Sequence, residues 1–115
     1  MQASFEIKRA TDGKFVFNLK ATNGQVVLTS QTYETKVSAV DGIASVKQNA
    51  RADENYEERI GDDGHPYFVL YAANRQVIGR SQMYSSRDAM QKGIASVKET
   101  ARNAGIVDTA GTHTA

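Results

Sequence analysis

Cysteine is absent from the 115 residues. That excludes disulfide staples, a thiolate nucleophile and a thiolate zinc site, and it fits a reducing compartment. Histidine is scarce: His65 stands beside a turn and His113 in the tail. Long apolar runs are missing as well, since no stretch approaches the roughly 18 residues a membrane helix needs. The start, Met1-Gln2-Ala3-Ser4-Phe5-Glu6, has neither the basic opening nor the apolar run of a signal peptide. A soluble, cytoplasmic protein is expected. An excess of either charge is also lacking, with 14 basic against 13 acidic residues and a net charge of +1. That argues against a strongly basic nucleic-acid binder.

What the chain does have is a duplication. Residues 5–55 recur as 56–106 at a constant spacing of 51, and pairing 5–51 with 56–102 gives 20 identities in 47 positions. The shared runs include Asp12-Gly13 and Asp63-Gly64, Ser30-Gln31-x-Tyr33 and Ser81-Gln82-x-Tyr84, and Gly-Ile-Ala-Ser-Val-Lys at 42–47 and 93–98. Each copy carries seven basic and six acidic residues, so both halves are balanced in charge. A repeat of this size usually cannot close its own core and docks on its neighbour.

Within a copy the order of elements is readable. Phe5 to Arg9 reads as a strand, and Asp12-Gly13 as a hairpin turn whose residues tolerate positive φ. Phe15, Phe17 and Leu19 alternate with Val16, Asn18 and Lys20, the period of a half-buried strand. Asn23-Gly24 makes a second turn into a third strand, 25–30. The second copy repeats this at 67–71 and 76–81, with Arg75 in the turn glycine's place, where strain or another turn type is expected. Thr35 and Ser86 are set as helix N-caps. The stripes Ala39, Ile43, Val46, Ala50 and Met90, Ile94, Val97, Ala101 each keep to one helical face, and Gly105 is a suitable stop.

A second stripe is small: Ser38, Gly42, Ser45, Asn49, and Ala89, Gly93, Ser96, Thr100. Glycine inside a helix costs about 1 kcal/mol relative to alanine, so its recurrence at Gly42 and Gly93 implies a close approach. One reading has the two helices side by side on the sheet, touching along these stripes; the other has the glycines tight against the sheet. Carrying the period onward, Val107-Asp108 follows Phe5-Glu6 and Tyr56-Glu57, which predicts a closing strand at about 106–109. Residues 1–110 then form a single domain, and the tail 111–115 has nothing to bury.

The doubled pattern Asn-Gly-Gln-Val, Ser-Gln-x-Tyr, Gly-Ile-Ala-Ser-Val-Lys resembles the YegP-like proteins, a bacterial group of unassigned function, across nearly the whole chain. The resemblance implies an α+β fold in which tandem β(3)-α-β repeats share one antiparallel sheet, with both helices on one face and C-terminal strands exchanged. It implies no catalytic residues. Arg75 for the turn glycine, and Gly79 where copy one has Leu28, are the departures.

Candidate sites are few. Ser30, Gln31, Tyr33 and Ser81, Gln82, Tyr84 could bind a ligand, but their place between strand and helix favours a structural join with the tyrosine under the helix. Gly42 and Gly93 are structural on either reading of the small stripe. Glu6, Glu57 and Asp108 share a repeat position and are expected to line up on neighbouring strands as a solvated face, with a divalent-ion site as the sharper alternative. There is no glycine-rich phosphate loop. No catalytic, cofactor or metal site is predicted.

With both helices on one side, the opposite sheet face lies open. It is expected to carry Val16, Asn18 and Lys20 in copy one and Tyr67, Val69 and Tyr71 in copy two, with Ile78 and Arg80 nearby if the third strand keeps the same phase. Lys20, Tyr67, Tyr71 and Arg80 are the candidate interaction surface. The expected protein is a monomer with internal pseudo-twofold symmetry, a non-enzymatic binding or protein-interaction module that uses this face for a partner the sequence does not name. Single-stranded nucleic acid is the second reading, because open-sheet aromatics stack bases, and a small-molecule enzyme the third.

Overall fold

The computed structural model describes residues 2–110; the tail 111–115 lies outside them. In chain order the elements are β1 (Ser4–Arg9), β2 (Phe15–Lys20), β3 (Val26–Thr29), α1 (Lys36–Asn49), a 3-10 turn (Asp53–Asn55), β4 (Tyr56–Ile60), β5 (Pro66–Tyr71), β6 (Val77–Arg80), α2 (Arg87–Asn103) and β7 (Gly105–Asp108). The hairpin turns form as their residues dictate. Gly13, Gly24 and Gly64 take φ of 84°, 84° and 83°, and Arg75 takes φ of 67° in the fourth turn. Thr35 and Ser86 both cap their helices, accepting from the backbone N–H of Ser38 at 3.0 Å and of Ala89 at 3.1 Å.

All seven strands join in one sheet of order β4-β5-β6-β3-β2-β1-β7. The two copies meet at β3 and β6, paired through Thr29 and Arg80. β7 leaves its own copy and pairs with β1, matching Ser4 with Gly105 and Ile7 with Asp108. That exchange is the one the resemblance implies, with a correction: the β1–β7 pair is parallel, so the sheet is mixed. The cause is where α2 delivers the chain. A helix of 17 residues is about 25 Å long, and five strand spacings come to about 24 Å. α2 starts beside β4, where Arg87 bonds Glu58, and ends where β1 begins. A strand starting there can only run the way β1 runs. Gly105 is accordingly no helix stop. It opens β7, and extended Ala104 (φ −70°, ψ 132°) ends the helix.

The helix-facing side buries Phe5, Ile7, Phe17, Leu19, Leu28, Phe68 and Leu70 under the two apolar helical stripes. Full burial of such a side chain is worth about 1.5–3 kcal/mol, so this layer is the main source of stability. Near the junction of the copies, repeat equivalence places Leu28 and Gly79 at matching positions. A Cβ on Gly79 would stand 2.8 Å from Leu28 Cγ. Two leucines would collide there, which explains why the copies differ at this position.

Burial also acts on three phenols. It pushes Tyr56, Tyr33 and Tyr84 above the ordinary value near 10, Tyr56 furthest. The Tyr56 hydroxyl donates to the Ala50 carbonyl at the end of α1, 2.8 Å away. A raised folded-state pKa gives stability that is whole below pH 10 and is lost as pH climbs toward the folded value. The urea midpoint is therefore expected to fall above about pH 10, and Tyr56→Phe to flatten that fall. An unchanged slope in the variant would assign the alkaline loss elsewhere.

Candidate functional site

The Ser-Gln-x-Tyr segments form the same join twice. Ser30 Oγ accepts from the Phe17 N–H at 2.9 Å and donates to the Gln31 carbonyl at 2.7 Å. Ser81 does the same with Phe68 and Gln82, at 3.0 and 2.8 Å. Both hydroxyls are thus committed to the backbone, while Gln31 and Gln82 are exposed. Tyr33 stacks on Phe17 with centroids 6.0 Å apart, and Tyr84 on Phe68 at 6.3 Å.

The glycines explain the tyrosines. A Cβ on Gly42 would stand 2.6 Å from Tyr33 Cζ, and one on Gly93 2.5 Å from Tyr84 Cζ. Helix–helix contact along the small stripes is therefore not what the glycines serve. Each is the seat of its own copy's tyrosine, which wedges between strand and helix. The spacing Tyr-x8-Gly in both copies carried that signal.

The carboxylates expected to line up do not. Glu6 pairs in register with Val107, and Asp108 stands one position further on beside Ile7, which turns it to the helix side. There it meets Lys36 at 2.7 Å. Glu57 lies across the sheet on β4. Among the described residues no three histidine or carboxylate groups come together to hold a metal ion.

On the open face, the pairings Glu6–Asn18–Thr29–Arg80–Val69–Glu57 run in one row across both copies. In the second copy this face is a packed cluster. Arg59 donates through Nε to Glu57 at 2.7 Å and through Nη2 to the Tyr71 hydroxyl at 2.7 Å. That hydroxyl donates on to Glu57 at 2.8 Å. Bonds from Tyr71, and then from Arg59, hold the Glu57 carboxyl below its usual range. Arg75 lies over the Tyr71 ring at 4.4 Å and Arg80 over the Tyr67 ring at 5.9 Å. Beneath them Val69 is fully buried (0% exposed), although it faces away from the helices. Three arginines thus surround two tyrosines against one carboxylate.

Two expectations need correction. Lys20 does not join Tyr67, Tyr71 and Arg80: it pairs with Glu6 at 3.0 Å, and two strands separate β2 from β5. Ile78 enters the core, because the register shift between Leu70 and Tyr71 brings Val77 opposite Tyr71. Arg59 and Arg75 join the cluster beside the expected Tyr67, Tyr71 and Arg80. Arg59 was legible from strand alternation with Glu57. Arg75 was visible only as an odd turn residue, since its reach over Tyr71 depends on the turn's shape.

Comparison with known proteins bears on both copies. The family described as "Domain of unknown function (DUF1508)" matches residues 10–57 and again 62–108. This chain belongs to that family. UPF0339 protein MS1092 of Mannheimia succiniciproducens is 49% identical over 104 residues, covering 90% of this chain and 92% of that one. UPF0339 protein YegP of Escherichia coli K12 is 44% identical over 108 residues, covering 94% and 98%. The NMR structure of E. coli yegP, a protein of unknown function, superposes with a TM-score of 0.90 at 97% coverage of both chains. That of UPF0339 protein SO3888 from Shewanella oneidensis gives 0.89 at 41% identity, covering 99% of this chain and 97% of that one. The DUF1508 relatives bear no assigned function or enzymatic activity in these names. Among the described residues no helix is long and apolar enough to cross a membrane.

Proposed function

We propose that this DUF1508 protein is a non-enzymatic interaction module that binds an acidic protein surface through the open face of its second copy. One observation carries the reading. Six repeat positions on this face differ together, with Lys8, Val16, Asn18, Lys20, Gly24 and Thr29 in copy one against Arg59, Tyr67, Val69, Tyr71, Arg75 and Arg80 in copy two. Core positions such as Phe17/Phe68 and Leu19/Leu70 are meanwhile kept. Tyr and Arg are the side chains enriched where protein interfaces carry their energy.

Arg75 adds weight. It holds φ of 67° where copy one uses glycine, a conformation costing a non-glycine residue about 1–2 kcal/mol. A guanidinium kept over Tyr71 at that cost suits a binding role, since such strain gathers at functional sites. Glu57, at the centre of the cluster, interrupts the positive face that a continuous run of phosphates would follow, whereas separate carboxylates of a protein can meet Arg75 and Arg80 to either side of it, so a protein partner is preferred to single-stranded nucleic acid.

The test sets wild type beside Tyr67→Ala/Arg80→Ala and Arg75→Gly. Partners captured from extract by the wild type are expected to be lost by both variants, while Arg75→Gly melts higher. A partner retained by both would remove the face from the reading. Salt-sensitive binding of a labelled oligonucleotide, abolished in Tyr67→Ala, would replace the protein partner with single-stranded nucleic acid.

A further inference from the structure

The sheet has two ends that repeat symmetry makes equivalent, and among the described residues only one is filled. β7 runs along the outer edge of β1, with the Thr109 N–H bonded to the Ile7 carbonyl at 2.9 Å. The matching edge belongs to β4. It has no such strand, because the segment after α1, which corresponds to β7, enters β4 itself. The Gly61 N–H bonds the His65 carbonyl, which fixes the alternation along the β4–β5 ladder. Glu58 and Ile60 therefore turn both N–H and C=O outward, and Tyr56 its C=O. None of these groups has a partner among the described residues.

The surroundings of this edge are specific. Ile60 is 69% exposed and Met83, beside Gly61, 48%. A hollow of about 490 Å³ opens there between Ile60, Pro66, Arg87 and Met90. Repeat equivalence matches Arg87 to Lys36, the residue that holds Asp108 of β7. In the second copy the carboxylate comes from the edge strand itself, as Glu58 bonds Arg87 at 3.0 Å and also Gln91. Charge is lopsided too. Asp53, Glu54, Glu57, Glu58, Asp62 and Asp63 fall in the span 53–63; Lys98, Arg59 and Arg87 pair with Asp53, Glu57 and Glu58, so the carboxylates still outnumber the cations that meet them.

We propose that the outer edge of β4 binds an extended, lysine- or arginine-bearing segment of a partner protein, added parallel to β4 as β7 is added to β1. Main-chain bonds to Glu58 and Ile60 hold the segment, in the manner of strand addition. A basic side chain at the position matching Asp108 meets Glu58, and its neighbours reach the hollow, where Ile60, Pro66 and Met90 stand among Ser85, Ser86 and Arg87. This site lies on the edge of the sheet and adjoins the tyrosine–arginine face at Arg59, which lines the hollow.

The probe is a synthetic peptide of residues 104–110 carrying Asp108→Lys, with the native peptide as its control, titrated into the full chain and followed by amide NMR. The Asp108→Lys peptide is expected to move the Glu58 and Ile60 amides saturably, and the native peptide to bind about fivefold more weakly. Glu58→Gln should reduce the difference between the two. Equal affinities, no movement of Glu58 and Ile60 at millimolar peptide, or shifts confined to the Tyr67–Tyr71 face would each overturn the proposal. Movement of those two amides with protein concentration alone would also overturn it, by making a second copy the occupant.

Discussion

Gly93→Ala is expected to destabilise the protein by about 2–3 kcal/mol, where the same change in an ordinary helix interior stabilises by about 1 kcal/mol. The new methyl would fall 2.5 Å from Tyr84 Cζ. Tyr84 has little room to withdraw: its N–H is bonded to the Pro66 carbonyl at 2.8 Å and its ring lies against Phe68. Overpacking of this kind forces side chains off their rotamers or moves the backbone. At roughly 4 °C per kcal/mol for a chain of this size, the melting temperature should drop by about 8–12 °C. A double-mutant cycle separates this cause from any other. In a Tyr84→Leu background the sign should reverse, with Gly93→Ala stabilising by its ordinary amount. Gly42→Ala should behave the same way through Tyr33. A Gly93→Ala protein that melts higher than wild type would show that the tyrosine yields and that the glycine has another purpose.

Gly79→Leu is the second large effect expected, about 3 kcal/mol of lost stability. Its Cβ would lie 2.8 Å from Leu28 Cγ and 2.9 Å from Leu28 Cδ2. The change makes the copies more alike and the protein worse, which is the useful part of the test. Adding Leu28→Gly should recover most of the loss, because the leucine then fills the same gap from the other copy. Should the double variant prove no more stable than Gly79→Leu alone, the gap is not symmetric and the pairing of these positions is wrong. Denaturant midpoints of the three variants decide it, provided the slopes agree.

The fold was legible where local chemistry decides and obscure where distance does. Asp12-Gly13, the Phe15-Phe17-Leu19 alternation and the Thr35 and Ser86 caps each act within a few residues, and the structure places them as read. The closing strand was legible from the period, starting at Gly105 in place of 106. Its direction was not legible, because that follows from the length and tilt of α2. The small stripe shows the same limit. Glycine at 42 and 93 announces a close approach without naming the neighbour, and a tyrosine nine residues earlier was the better guess. On the open face, Tyr67, Tyr71 and Arg80 were legible from alternation. Their separation from Lys20 required the strand order, and the place of Ile78 required the register shift beside Tyr71.

The pairing of Ser4 with Gly105 also has a temporal side. A strand that waits for a partner a hundred residues downstream must pay a large loop-closure cost before the contact repays it. During synthesis, at roughly 5–20 residues per second, the outer edge of β1 stays bare for about 5–20 s after it emerges. Exposed strand edges invite pairing with other chains. Lys8 and Arg9, at the far end of that strand, put charge on the edge during this interval.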